Sequence, residues 1–174
     1  MGRARAAARG PADPMKGAVA AEAEEPSLAP LRSVDLALLE PMVRAYYVED
    51  GHHFDAERQP AALAALIDGA PLGRGWLVML AGRPVGYVVL TLGFSIEAGG
   101  CEGCVDELFV VPEVRGRGVG RRVLALLEDE ARRLGVRRLF LEVGHGNRAS
   151  ALYRRAGFVD HRRHLLSKRL DQRA

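Results

Sequence analysis

Cysteine is nearly absent from this chain of 174 residues, with Cys101 and Cys104 the only two, and that scarcity excludes a disulfide framework. Spaced as Cys-Glu-Gly-Cys, the pair lacks the second ligand pair of a structural zinc site and has no thioredoxin-like strand before it. A surface turn with no metal is the expectation. No apolar run approaches the roughly 18 residues of a membrane span, so a cytoplasmic protein away from membranes is expected. A recognition-helix signature is missing, as is the aromatic interleaving of single-strand binders, and no nucleic-acid partner is expected. No internal repeat is visible, and the length suits one domain with a sizeable core.

What is present is charge, unevenly placed. The net charge of +3 hides two opposed halves. Residues 32–114 carry five basic and twelve acidic groups, net −7, whereas residues 115–174 carry sixteen basic and six acidic, net +10. Solvated faces would explain such a split, and so would a protein whose halves grip two oppositely charged ligands.

Residues 1–26 are rich in Ala, Arg, Gly and Pro without an apolar period, and read as a disordered tail outside the fold. The Arg-rich start is like a transit peptide, but the acidic Glu22-Ala23-Glu24-Glu25 argues against that, and Met15 is a second possible start. From 27 to 174 one domain is expected. A short strand near Leu28 to Leu31 leads to a helix capped by Ser33 or Asp35, with Leu36, Leu39, Val43 and Tyr46 at helical spacing and a kink at Pro41. A second helix begins around Pro60 and ends at Gly69. The stretch from Gly75 to Phe94 is two apolar runs around a glycine turn, a hairpin signal, and Cys104 to Val111 is a third strand. Val119, Val123, Leu126, Leu127, Ala131 and Leu134 then recur at three and four, an amphipathic helix ending at Gly135. Val136 to Val143 is expected as a strand, Ala149 to Gly157 as a short helix, and Phe158 to Leu170 as a final strand or hairpin. The order is β-α-α-β-β-β-α-β-α-β, a mixed α/β chain.

Three glycines and four arginines crowd the stretch VVPEVRGRGVGRRVL, residues 110–124. A strand ends there, a turn follows and a helix begins, so the first helical N–H groups lack internal partners and the helix dipole favours an anion. Glycine lets that anion approach the backbone. A P-loop would need Lys then Ser or Thr after the last glycine, and Arg121 and Arg122 stand there instead. A dinucleotide site would put glycine at 121; Glu142 suits its acidic residue, but too little chain follows for the rest of a doubly wound sheet.

Arg115-x-x-Gly118-x-Gly120 after ELFVVPE resembles the acetyl-coenzyme A motif of the GNAT acyltransferase superfamily, and LEVGHGNRASALYRRAGF resembles the segment that follows it there. The two cover residues 104–158. The resemblance implies an α/β GNAT fold, a central mixed twisted sheet with splayed middle strands flanked by about four helices. It implies an N-acetyltransferase using acetyl-CoA as co-substrate, with no metal. The pyrophosphate would lie on the amides of Gly116, Arg117, Gly118, Val119, Gly120 and Arg121, with Arg115 beside it. The pantetheine arm would pair with the backbone of Leu108, Phe109 and Val110, since its amides need partners. Asn147 sits six residues before Tyr153, where the family commonly has seven. Coenzyme contact and a helix N-cap both remain open for it.

By the same resemblance Tyr153 is the acid that protonates the leaving thiolate, and a phenol with a pKa near 10 keeps its proton until then. Asp106 and Glu107 alternate along their strand, so one of them faces the acceptor; Glu107 is favoured as base or water-holder because Val105 and Phe109 share its face. A solvent-facing edge is the other reading. Glu142 matches a proton-accepting glutamate of members that act on peptide N-termini and is the second candidate. Tyr46, Tyr47, Glu49, Asp50 and Asp55 lie in the segment that forms part of the acceptor wall in the superfamily, and their charge suits a cationic amine. His52 and His53 receive no role. The expected acceptor is a small cationic amine of polyamine, lysine-analogue or aminoglycoside-like kind. A protein N-terminus or side chain is the alternative, and a non-catalytic acyl-CoA-binding module is a third reading of another class. Dimers are common in the superfamily, so a homodimer is compatible with it.

Overall fold

The computed structural model describes residues 25–170. The tail expected over 1–26 lies almost wholly outside them. Five strands form one sheet in the order β1-β2-β3-β4-β5: β1 Ser27–Pro30, β2 Gly73–Leu80, β3 Arg83–Ser95, β4 Gly100–Val110 and β5 Arg138–Phe140. The first four pair antiparallel and β4 pairs with β5 in parallel. The helices are α1 Leu36–Asp50, α2 Arg58–Ile67, α3 Val119–Arg133 and α4 Ser150–Arg155. None of them, among the described residues, is long and apolar enough to cross a membrane.

The central strands are apolar on both faces because both faces are covered. Trp76, Val78, Val88, Leu90 and Val105 pack against Val119, Val123 and Leu127 of α3. Their neighbours Leu77, Tyr87, Val89 and Phe109 pack on the other side against Leu39 and Val43 of α1 and Leu63 of α2. The β2–β3 hairpin turns on Ala81 and Gly82, both at positive φ (51° and 71°), the geometry that matches strand twist. Asp35 stands at the start of α1 but its side chain does not cap that helix; it accepts from the Arg32 N–H at 2.9 Å, closing the short 3-10 turn Ser33–Asp35 ahead of it.

One irregularity in the sheet matters for everything below. Glu107 pairs with Val89 and Val105 with Leu90, so Asp106 is an extra residue without a partner on β3. This β-bulge reverses the alternation of β4. Val105 consequently belongs to the α3 face and Phe109 to the α1 face, and the expectation that they share a face with Glu107 fails for Val105.

Two strand expectations are also corrected. The strand expected over Val136 to Val143 pairs only over Arg138–Phe140. No strand or hairpin forms over Phe158 to Leu170. That stretch has no regular alternation, Arg162 stands at φ 51°, and its N–H is tied to the Asp160 carboxylate at 2.7 Å in a local turn. Side chains of this kind compete with ladder formation.

Candidate active site

Two structural features meet where β4 and β5 part. The β4–β5 pairing ends at Cys104 and Phe140, so from there β4 has an open edge. On the other side, the Val111 N–H bonds the Val85 carbonyl on β3 at 2.8 Å. Successive residues of a strand turn their backbone groups to opposite edges. Val110 and Leu108 therefore offer theirs to the open edge, while those of Phe109 are turned to β3. A β-carbon on Gly86 would collide with the Phe109 carbonyl, which is consistent with that assignment. Of the three expected pantetheine positions, Leu108 and Val110 face the open edge, and the Val110 carbonyl is already taken by Arg115.

The open edge runs into the glycine-rich turn. Gly116 and Gly118 stand at φ 75° and 84°, and β-carbons there would meet nothing within 4 Å, so these glycines serve backbone conformation in open space. Gly120 differs, because a β-carbon there would lie 3.1 Å from the Leu152 side chain of α4. Its smallness lets α3 and α4 pack. The α3 ladder starts with the Arg122 N–H on the Gly118 carbonyl at 3.2 Å, and the amides of Val119, Gly120 and Arg121 precede it. Arg115 Nε donates to the Val110 carbonyl at 2.6 Å, and its Nη2 meets Glu49 at 2.9 Å.

Beside the open edge, between the end of α1 and the bulge of β4, lies a cavity of about 390 Å³. Its walls carry the carboxylates of Asp50, Asp106, Glu107 and Glu142, the phenols of Tyr46 and Tyr47, and His52, His53, Cys104 and Val105. Among the described residues no Lys or Arg lines it. The bulge lets both Asp106 and Glu107 reach this space, which corrects the expectation that only one faces the acceptor. Glu107 accepts from the buried Tyr87 hydroxyl at 2.7 Å. Burial raises its proton affinity, and hydrogen bonds from Tyr87 and Tyr47 pull it partly back. Burial among neighbouring groups likewise raises Asp106, although solvent reaches its side chain.

Asp50 is a junction. Its Oδ1 accepts from Asn147 Nδ2 at 3.0 Å, and its Oδ2 stands 2.9 Å from His52 Nε2. Asn147 Oδ1 accepts the Ala149 N–H at 2.8 Å, so both ends of that amide are engaged in holding the start of α4. The N-cap position of α4 is Ala149, and no side chain caps it; the Asn147 side chain closes a turn just before the helix. Tyr46 is raised above the ordinary phenol range, first by burial and then by Asp50 and Glu107. Tyr153, half-buried on α4 with its ring 6.0 Å from Phe158, is raised by burial and then by Asp50.

Glu49 and Asp55 stand outside the cavity. Glu49 faces Arg115, and Asp55 accepts the N–H groups of Glu57 and Arg58 at 2.9 and 3.0 Å, capping α2. Conversely, sequence reasoning missed His52, His53 and Tyr87. The surface turn expected over the two cysteines gives way to strand, for β4 begins at Gly100 and includes both Cys101 and Cys104; the Cys104 thiol is pushed up to about 11, mainly by burial and then by Asp106 and Glu142, which keeps it protonated at neutral pH.

The acetyltransferase (GNAT) family model matches residues 37–158. The chain belongs to the GNAT acetyltransferase family. It is 36% identical over 114 residues to an IAA acetyltransferase of Azospirillum brasilense, covering 65% of this chain and 74% of that one. It is 32% identical over 83 residues to an aminoalkylphosphonate N-acetyltransferase of Salmonella typhimurium, covering 47% of this chain and 54% of that one. This chain therefore matches only about half of the Salmonella relative. Among solved structures, an integron cassette protein from the mobile metagenome of Cole Harbour Salt Marsh superposes with a TM-score of 0.71 at 38% identity, over 82% of this chain and 90% of that one. Acetyl-CoA is the co-substrate of GNAT acetyltransferases. The residues present suit it: open glycines, helix-end amides and an unpaired strand edge lie in one line. Among the described residues no group of three or more His, Cys, Asp or Glu is placed to hold a metal.

Proposed function

We propose that this GNAT acetyltransferase transfers the acetyl group of acetyl-CoA to the primary amine of a small cationic acceptor. The cavity beside the open β4 edge carries this reading, because four carboxylates line it and, among the described residues, no Lys or Arg does. An ammonium there gains roughly 1 kcal/mol per exposed pair at 4 Å, and several times more where water is excluded. An aminoalkylphosphonate, named for one relative, carries an anionic group for which the described lining offers no Lys or Arg. Among cations, a polyamine, a lysine analogue or an aminoglycoside-like amine suits the multiple carboxylates.

The thioester supplies an activated acyl carbon when bound. The chain's own residues do the rest. Amides of residues 116–121, with Arg115, would take the pyrophosphate, and the backbone groups of Leu108 with the N–H of Val110 would take the pantetheine amides, the Val110 carbonyl being held by Arg115. Glu107 is the proton acceptor in this reading, since burial raises its proton affinity above the ordinary carboxylate value; Glu142, which also lines the cavity, is the second carboxylate for that task. Tyr153 is the acid for the developing thiolate, and burial and Asp50 keep its phenol protonated at neutral pH. A cytoplasmic location fits this substrate class.

The test is a competition between acceptors of equal length. With acetyl-CoA saturating, kcat/KM for a terminal diamine should exceed that for the matching aminoalkylphosphonate by at least about tenfold, the equivalent of ~1.4 kcal/mol. Equal turnover of the two, or preference for the phosphonate, would remove the cationic-acceptor reading.

A further inference from the structure

The inference rests on the acetyl transfer proposed above and concerns its protons. An alkylammonium enters with three N–H bonds, and the amide product keeps one. As the N–C bond forms and the C–S bond breaks, one departing proton goes to the sulfur. The other leaves the protein. That first proton must be lost before attack, because a protonated nitrogen has no lone pair. A buried base committed to the second transfer is poorly placed for the first, which happens where the acceptor meets water.

His52 stands at that place. It lines the cavity, yet its side chain is 61% exposed. Its Nε2 is 2.9 Å from Asp50 Oδ2; a carboxylate accepts, so Nε2 carries the hydrogen and Nδ1 keeps its lone pair. Nδ1 has no hydrogen-bond partner among the described residues. Asp50 cannot turn away, because Asn147 holds its other oxygen at 3.0 Å, and the Tyr47 ring meets the imidazole edge-on at 5.9 Å. The titratable groups that share the cavity with His52 are Tyr46, Tyr47 and Asp50 of α1, the neighbouring His53, Cys104, Asp106 and Glu107 of β4, and Glu142 beyond β5. An imidazole held by a fixed carboxylate is a general-base arrangement.

We propose that His52 is a second catalytic base, accepting the first proton of the ammonium at Nδ1 and releasing it to water, with Asp50 as its positioning residue. Glu107 then serves the second proton, lost as the N–C bond forms and delivered by way of Tyr153 to sulfur. The two bases divide the reaction by depth in the cavity.

The test compares His52→Gln and Asp50→Asn with the unaltered protein on two acceptors. One is a diamine, charged at neutral pH; the other is trifluoroethylamine, already largely neutral and needing no first deprotonation. At pH 7, His52→Gln should lose about a hundredfold in kcat/KM on the diamine and less than about threefold on trifluoroethylamine. The gap should close as pH nears the amine's own pKa of about 10, and added imidazole should restore His52→Ala on the diamine. Asp50→Asn should share the loss on the diamine and spare trifluoroethylamine, since the imidazole loses the carboxylate that fixes its orientation. Equal losses on both amines would make His52 a structural residue, and no loss on either would make it a bystander; either overturns the proposal. If the unaltered protein turns over neither amine, the acetyl-transfer reading fails and takes this one with it.

Discussion

Tyr87→Phe removes one oxygen and tests how the fold sets the charge on Glu107. Tyr87 is fully buried, and its hydroxyl donates to Glu107 Oε2 at 2.7 Å. Phe fills the same space, so the cavity term is small and the hydrogen bond is the change. A bond to a charged acceptor contributes about 1.5–3 kcal/mol, and it favours the ionised carboxylate. Burial already holds Glu107 above its ordinary value; without the phenol it should rise by a further ~1–2 pH units at 1.36 kcal/mol each. The sign follows from linkage. A carboxyl raised in the folded state binds its proton more tightly there than in the unfolded chain, so stability falls as pH rises from the unfolded value through the folded one. Tyr87→Phe widens that window. Urea unfolding should therefore show the variant destabilised by about 1.5–3 kcal/mol at pH 8 and by clearly less at pH 4, while the acidic limb of kcat moves upward by ~1 unit. Equal destabilisation at both pH values, with the limb unmoved, would refute the coupling of Tyr87 to Glu107.

Three further outcomes follow from the same geometry. Glu107→Gln should cost about 10²–10⁴ in kcat while acetyl-CoA affinity, measured by calorimetry, stays within about twofold, because the residue faces the acceptor cavity rather than the glycine turn. Tyr153→Phe should lower kcat about tenfold or more without raising KM for the amine, and unchanged turnover would remove its role as acid. Gly118→Ala should weaken acetyl-CoA binding and cost about 1–2 kcal/mol in unfolding experiments, since φ is 84° there and no clash contributes.

The parts of this protein that sequence made legible are those governed by local chemistry. The turn from Arg115 to Gly120 was legible as a strand-to-helix turn, with Gly116 and Gly118 at positive φ and α3 beginning at Val119, because glycines at such positions announce the backbone geometry locally. Helix α3 was equally plain, its apolar residues recurring at the period that the Val123 and Leu127 face requires. What stayed hidden depends on a partner elsewhere in the chain. The bulge at Asp106 exists only in the register between β3 and β4, so alternation along β4 misassigned Val105 and excluded one of two carboxylates that both reach the cavity. Tyr87 reads as one more residue in a buried strand until β4 places Glu107 opposite its hydroxyl. His52 and His53 read as loop residues, and only the return of Asn147 from the far side of the sheet, fixing Asp50, shows what one of them is held by. Glu49 and Asp55 had the right charge and segment, but one was claimed by Arg115 and the other by the first turn of α2. The expected final strand failed for a local reason that was present in the sequence, an Asp160 able to tie the chain into a turn just where a strand would begin.

The central claim is that a coenzyme A thioester and a cationic amine meet between the open edge of β4 and the cavity lined by Asp106 and Glu107. Thiol release from acetyl-CoA, followed together with the mass of the amine, tests it most directly. The account predicts release only when a diamine is present, one thiol for each acetyl group found on nitrogen. Firm binding of acetyl-CoA with background thiol release across diamines, lysine analogues and aminoglycosides would contradict it and leave a coenzyme-binding module in its place.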